Sequence, residues 1–166
     1  MQIDRSITGS DRVTGHVVAV GPVWALLSVI SEGAPNGWVA LRVGDIVAVE
    51  EAPGARFVQR GLESLAAWPA VAPRAQLALS GTVCELVFSA AAAFPVLTLY
   101  VEHQDPARIV IGRPVGRAGE QLDWQEMTVE AAWAEIPTSL DSAQITRLDL
   151  GGQYEKALNR VSDLRG

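Results

Sequence analysis

The chain has a single cysteine, Cys84, among 166 residues, so no internal disulfide can brace it and its stability has to come from a packed core. Val83, Leu86 and Val87 around that cysteine are apolar and no histidine is near it in sequence, the setting of a structural thiol. Histidine is scarce as well: only His16 and His103 could serve a metal centre or an imidazole base. Lys156 is the one lysine. Acidic residues outnumber basic ones, 19 to 13, and the net charge of -6 repels phosphate backbones, which disfavours nucleic acid as a partner. No apolar run approaches the roughly 20 residues that cross a bilayer. The opening MQIDRSITGS lacks the basic start and apolar centre of a secretion signal, so a cytoplasmic address is expected.

What the chain does have is core material. Hydrophobic residues make up 49% and charged residues 19%, which suits a compact globule and not a disordered chain. Short strands are expected over Gln2 to Ile7, Val13 to Val20, Trp24 to Ile30, Trp38 to Val43 and Ile46 to Val49. Asn36-Gly37 is the expected hairpin loop and Gly44-Asp45 a second tight turn. A helix follows from Ala55 to about Ala67, and Pro69 and Pro73 break it. Ser80 is placed to cap a second helix whose stripe runs Val83, Leu86, Val87, Ala90, Ala91 and Phe94. Strands are then expected over Val96 to Val101, Arg108 to Val115, Gln121 to Thr128, Trp133 to Thr138 and Ala143 to Leu150. A last helix carries Tyr154, Ala157, Leu158, Val161 and Leu164.

The two halves share a pattern at a lag of roughly a hundred residues. Trp133 answers Trp38, Ile145-Thr146-Arg147-Leu148 answers Ile46-Val47-Ala48-Val49, and the last helix answers the first. The expected division is a first unit over 1–68, a linker over 69–79 and a second unit over 80–166. A helix followed by five short strands, as in Ser80 to Leu150, is similar to the plan of Sm-like small barrels. GWVALRVGDI, together with Trp133 and Ile145 to Leu158, resembles an uncharacterised bacterial family of actinobacterial type. The resemblance implies a mainly β fold with short helices: two tandem Sm-like small barrels, each closed by a C-terminal helix. It brings no activity and no catalytic residues with it. The first half departs from the plan, since no helix precedes its strands.

Candidate sites are few. Glu102, His103 and Asp105 cluster around Gln104, but alternation along a strand sends Glu102 and His103 to opposite faces, so a solvated turn is the preferred interpretation over a metal or acid–base site. His16 is expected on a strand face with a satisfied hydrogen bond. Arg108, Arg113 and Arg117 concentrate positive charge, for which a solvated hairpin is the preferred interpretation and a weak anion contact the alternative. The glycines from Gly112 to Gly119 do not make a phosphate loop, because Pro114 and its successors continue as a strand. Trp24, Trp38, Trp68, Trp124 and Trp133 are expected in core and interfaces, not on a base-stacking platform.

No catalytic residue, metal ligand or cofactor is assigned. The expected function is a non-enzymatic interaction or assembly module acting through barrel edges and apolar surface, with a protein partner or a second copy, as in a homodimer. The alternatives are an Sm-like RNA-binding protein and an enzyme using Glu102, His103 and Asp105.

Overall fold

A computed structural model describes residues 1–103 and 105–164. Ten strands and three helices follow one another along the described chain: β1 (Gln2–Arg5), β2 (Val13–Val20), β3 (Trp24–Ser31), β4 (Ala34–Arg42), β5 (Ile46–Glu50), α1 (Ala55–Ser64), α2 (Val83–Ala91), β6 (Leu97–Tyr100), β7 (Ile109–Ala118), β8 (Gln121–Glu126), β9 (Thr138–Asp141), β10 (Arg147–Leu150) and α3 (Gln153–Asp163). All strand pairs are antiparallel, in the order β5-β1-β2-β3-β4-β10-β6-β7-β8-β9. This corrects the expected architecture. The strands form one open ten-stranded sheet and not two closed Sm-like barrels, because β4 gives its free edge to β10 and the sheet runs on from one half into the other.

The internal repeat survives in the strand order, since β10-β6-β7-β8-β9 repeats the connectivity of β5-β1-β2-β3-β4. Each unit has a 3-10 turn before its last strand, Val43–Asp45 in one and Ser142–Gln144 in the other. Aligning these turns sets Ile46 against Ile145, as the sequence pattern did. The same alignment sets Trp38 against Pro137, however, and not against Trp133, which makes only an isolated bridge with Met127.

Alternation along the strands at the junction, here called the seam, sorts side chains cleanly. Leu148 and Leu150 of β10 pair with Ala40 and Trp38 of β4 and with Leu99 and Leu97 of β6. This face lies under α2, whose Cys84, Leu86, Val87 and Ala90 complete a core that also takes in Trp24 and Leu26 from the first half. Thr82, not Ser80, caps α2: its hydroxyl accepts from Glu85 N while the Glu85 carboxylate accepts from Thr82 N, a reciprocal capping box. On the other face Ile3, Val13, Leu27, Val39 and Leu41 form a smaller core. The helix α3 turns its expected stripe outward. Leu158 is buried, but Tyr154 is 51% and Leu164 86% exposed, and the helix instead buries Glu155.

Asn36-Gly37 is not the hairpin loop. The β3–β4 hairpin turns at Glu32-Gly33, both at positive φ, and Asn36-Gly37 forms a bulge farther along, where the register slips between Ser28 and Ile30. The bulge serves the seam. Asn36 Oδ1 accepts from Gln153 N at 2.7 Å, capping α3 from 117 residues away. Gly37 has φ +75°, and a Cβ there would meet Gly152 N and Leu150 O at 2.5 Å. Gly33, at φ +80°, faces open space. Gly33→Ala is therefore expected to cost only the left-handed backbone penalty, about 1–2 kcal/mol. For Gly37→Ala overpacking adds to that penalty, giving more than about 3 kcal/mol. Urea unfolding of the two variants checks this, and equal costs would mean that the seam is not tightly packed.

Candidate functional site

The face of the sheet away from α2 carries two rows of side chains across the seam. Ala25, Leu41, Arg147, Tyr100 and Ile109 stand opposite one another on β3, β4, β10, β6 and β7, and Leu27, Val39, Asp149, Thr98 and Ile111 form the next row. In each row charged and polar groups sit between apolar ones. The result is a groove of about 380 Å³ whose floor holds Tyr100, Arg147 and Asp149 and whose end is closed by Gln153, Tyr154 and Glu155 of α3.

The charges on this floor are committed to one another. Arg147 donates from Nε to Asp149 Oδ1 at 2.6 Å and from Nη2 to Oδ2, and its guanidinium lies 4.0 Å from the centre of the Tyr100 ring. The Thr98 hydroxyl donates to Glu155 Oε1 at 2.7 Å. Burial, reinforced by Asp149, pushes the Tyr100 phenol up to about 12, so it remains a donor at neutral pH. Burial also raises the Asp149 carboxyl above its usual range, with Arg147 opposing the shift. An apolar-walled groove with the Arg147–Asp149 ion pair on its floor is suited to recognition. In the sequence the trace of this floor is the alternation Arg147-Leu148-Asp149-Leu150 and Leu97-Thr98-Leu99-Tyr100, which gives no sign that the polar side of each strand is the one enclosed.

The residues singled out from the sequence lie elsewhere. Glu102 is buried and bound: Arg5 Nη2 donates to its Oε1 at 2.8 Å, and Arg5 Nη1 and the Thr146 hydroxyl donate to its Oε2. This pair joins β1 of the first half to the second, with side chains 0% and 2% exposed. His103 and Asp105 are exposed, and the Asp105 carboxylate accepts from Ala107 N within its own turn, so the three do not converge. Gln104 lies outside the described residues. Among the described residues no three His, Cys, Asp or Glu side chains stand close enough to hold a metal ion.

The arginines are not brought together either. Arg113 pairs across strands with Gln125 and Arg117 with Leu122, and the bulge between Pro114 and Gly116 leaves them on opposite faces of the sheet. Arg113 is held by Gln125 Oε1 and stacks 4.2 Å from the Trp133 ring centre, while Arg108 is exposed beside the Asp105 turn. His16 also departs from expectation. Its Nδ1 is buried with no hydrogen-bond partner among the described residues, and its ring meets Trp68 edge-on at 4.9 Å. Burial lowers its pKa.

Glu102 sets an acid dependence with a definite sign. Burial works against its ionisation, but the bonds from Arg5 and Thr146 outweigh that and hold the folded carboxyl below its ordinary 4.5. The unfolded chain therefore takes the proton first, and this stabilisation is present above the ordinary carboxyl range and lost as pH falls through the lowered folded value. Arg5→Met leaves the carboxylate buried and unpaired and is expected to cost about 3–5 kcal/mol at neutral pH. The cost should shrink on acidification, and Arg5→Met with Glu102→Leu should recover most of it. Urea midpoints at neutral and acidic pH check this; a cost independent of pH would count against the pair.

No protein-family description matches the chain, no curated protein matches it, and no solved structure matches its fold.

Proposed function

We propose that the chain is a non-enzymatic interaction module whose working surface is the central groove, and that its ligand is an apolar segment of a partner protein, neutral or basic in charge. The observation that carries this is the pairing of apolar walls, Val29, Val39, Ile109 and Ile111, with a floor on which Arg147 and Asp149 bind each other, while Glu155 at the end of the groove accepts from the neutral Thr98 hydroxyl and has no ion-pair partner among the described residues. Such a floor can orient a ligand through remaining donors without chemistry of its own. Ile109, 47% exposed, and Tyr154, 51% exposed, stand at the rim as contact surface that the chain itself does not cover. The net charge of -6 favours a neutral or basic ligand over an acidic one.

A cytoplasmic setting belongs to the same proposal. The lone, buried Cys84 suits a reducing compartment, and among the described residues no helix is long and apolar enough to cross a membrane.

The neutral dye Nile red serves as a probe for the groove. One dye per chain is expected, with blue-shifted emission, and Ile109→Arg should weaken its binding by about tenfold or more, about 1.4 kcal/mol. Val129→Arg, at a position 84% exposed and away from the groove, should leave binding unchanged. Equal binding by both variants would reject the groove as the working surface.

A further inference from the structure

The seam is a strand-to-strand joint that the repeat could in principle make again. In the repeated strand order β9 corresponds to β4 and β5 to β10, and among the described residues the outer sides of β9 and β5 pair with no strand. Transferring the seam register, in which Leu148 faces Ala40 and Leu150 faces Trp38, would set Val49 of one copy against Ser139 of the next, and Glu51 against Pro137. The backbone connectivity thus allows copies to join head to tail into an open series.

Four of the five corresponding positions differ in one direction, and at the fifth Val49 stands in place of Leu148, apolar still but 49% exposed. Where the seam has Ala40, β9 has Ser139; where it has Trp38, Pro137 precedes β9 and can donate no backbone hydrogen bond; where it has Leu26, β8 has Asp123; and where it has Leu150, the chain after β5 has Glu51. Ala40, Leu26 and Leu150 are at most 1% exposed, so the seam joins through apolar contact that these outer positions lack. Proline and inserted charge are means by which sheet edges avoid pairing, and both stand at the β9 edge in Pro137 and Asp123.

We propose that the outer edges are the two sides of the seam with their joining chemistry removed, so that the chain makes this joint once, internally, and is capped against repeating it with a second copy. The partner excluded is specific: another copy of this chain, in the seam register. The proposal concerns the sheet edges and stands apart from the groove.

Restoring each side in a separate variant tests it. One variant carries Asp123→Leu, Pro137→Trp and Ser139→Ala; the other carries Glu51→Leu. Sedimentation should find the native chain and each variant monomeric, and an equimolar mixture of the two should form a head-to-tail dimer. With Ser139→Cys in place of Ser139→Ala in the first and Val49→Cys added to the second, the mixture should cross-link on mild oxidation. Directly opposed residues lie about 4.5–5.5 Å apart, within disulfide reach. Variants that keep the native circular dichroism yet stay monomeric when mixed would overturn the proposal. Should the triple variant fail to fold, chains carrying only Val49→Cys and only Ser139→Cys decide the matter: no cross-link is expected, and a cross-link between them would show that the native edges already join.

Discussion

The backbone pairing of β4 with β10 is the constraint on which the rest depends. Four residue pairs, Leu41 with Arg147 through Trp38 with Leu150, carry the sheet from one half to the other. Because successive side chains alternate, this register assigns every neighbour to a face: leucines under α2, charges toward the groove. A slip of one residue would place Arg147 and Asp149 in the main core, where burying them is prohibitive, and Leu148 and Leu150 in the open. The seam is locked at its margins by bonds between residues far apart in sequence. Arg42 donates to Ile145 O at 2.7 Å, Asn36 caps α3, and Arg5 clamps Glu102.

Buried charge is a poor route to stability, since desolvation can exceed the attraction gained. The chain nevertheless places two ion pairs where its halves meet, Arg5 with Glu102 and Arg147 with Asp149. They differ in their surroundings. Arg5 and Glu102 are enclosed and tie β1 to the second half, while Arg147 and Asp149 remain about a seventh exposed at the bottom of the groove, with side chains 13% and 18% accessible. The first pair holds the halves in place, and the second gives the groove its polarity.

Much of the secondary structure was legible, because strand periodicity and turn residues act locally. β2 runs from Val13 to Val20 as its alternation suggests, and α1 begins at Ala55 after Pro53-Gly54. What local pattern could not supply was the identity of partners. Nothing in Trp38 to Leu41 records that its free edge meets Arg147 to Leu150, so two closed barrels and one continuous sheet read alike. Asn36-Gly37 has the composition of a loop, and only contact with α3 makes it a bulge and a cap. The bulge at Pro114–Gly116 reverses the facing of Arg117 relative to Arg113, which no count of arginines reveals. The groove was invisible for the same reason: its floor comes from β6 and β10, 47 residues apart in the pairing of Tyr100 with Arg147.

Native-state amide exchange as a function of denaturant tests most directly whether the seam makes the two halves one cooperative structure. The amides of β4 and β10, Ala40 and Leu148 among them, are predicted to exchange only through global unfolding, with the same free energy and denaturant slope as those of the core strand β6. If the amides on one side of the seam exchanged through a lower-energy opening while those on the other stayed protected, the halves would be separate units that merely touch, and the account would fail.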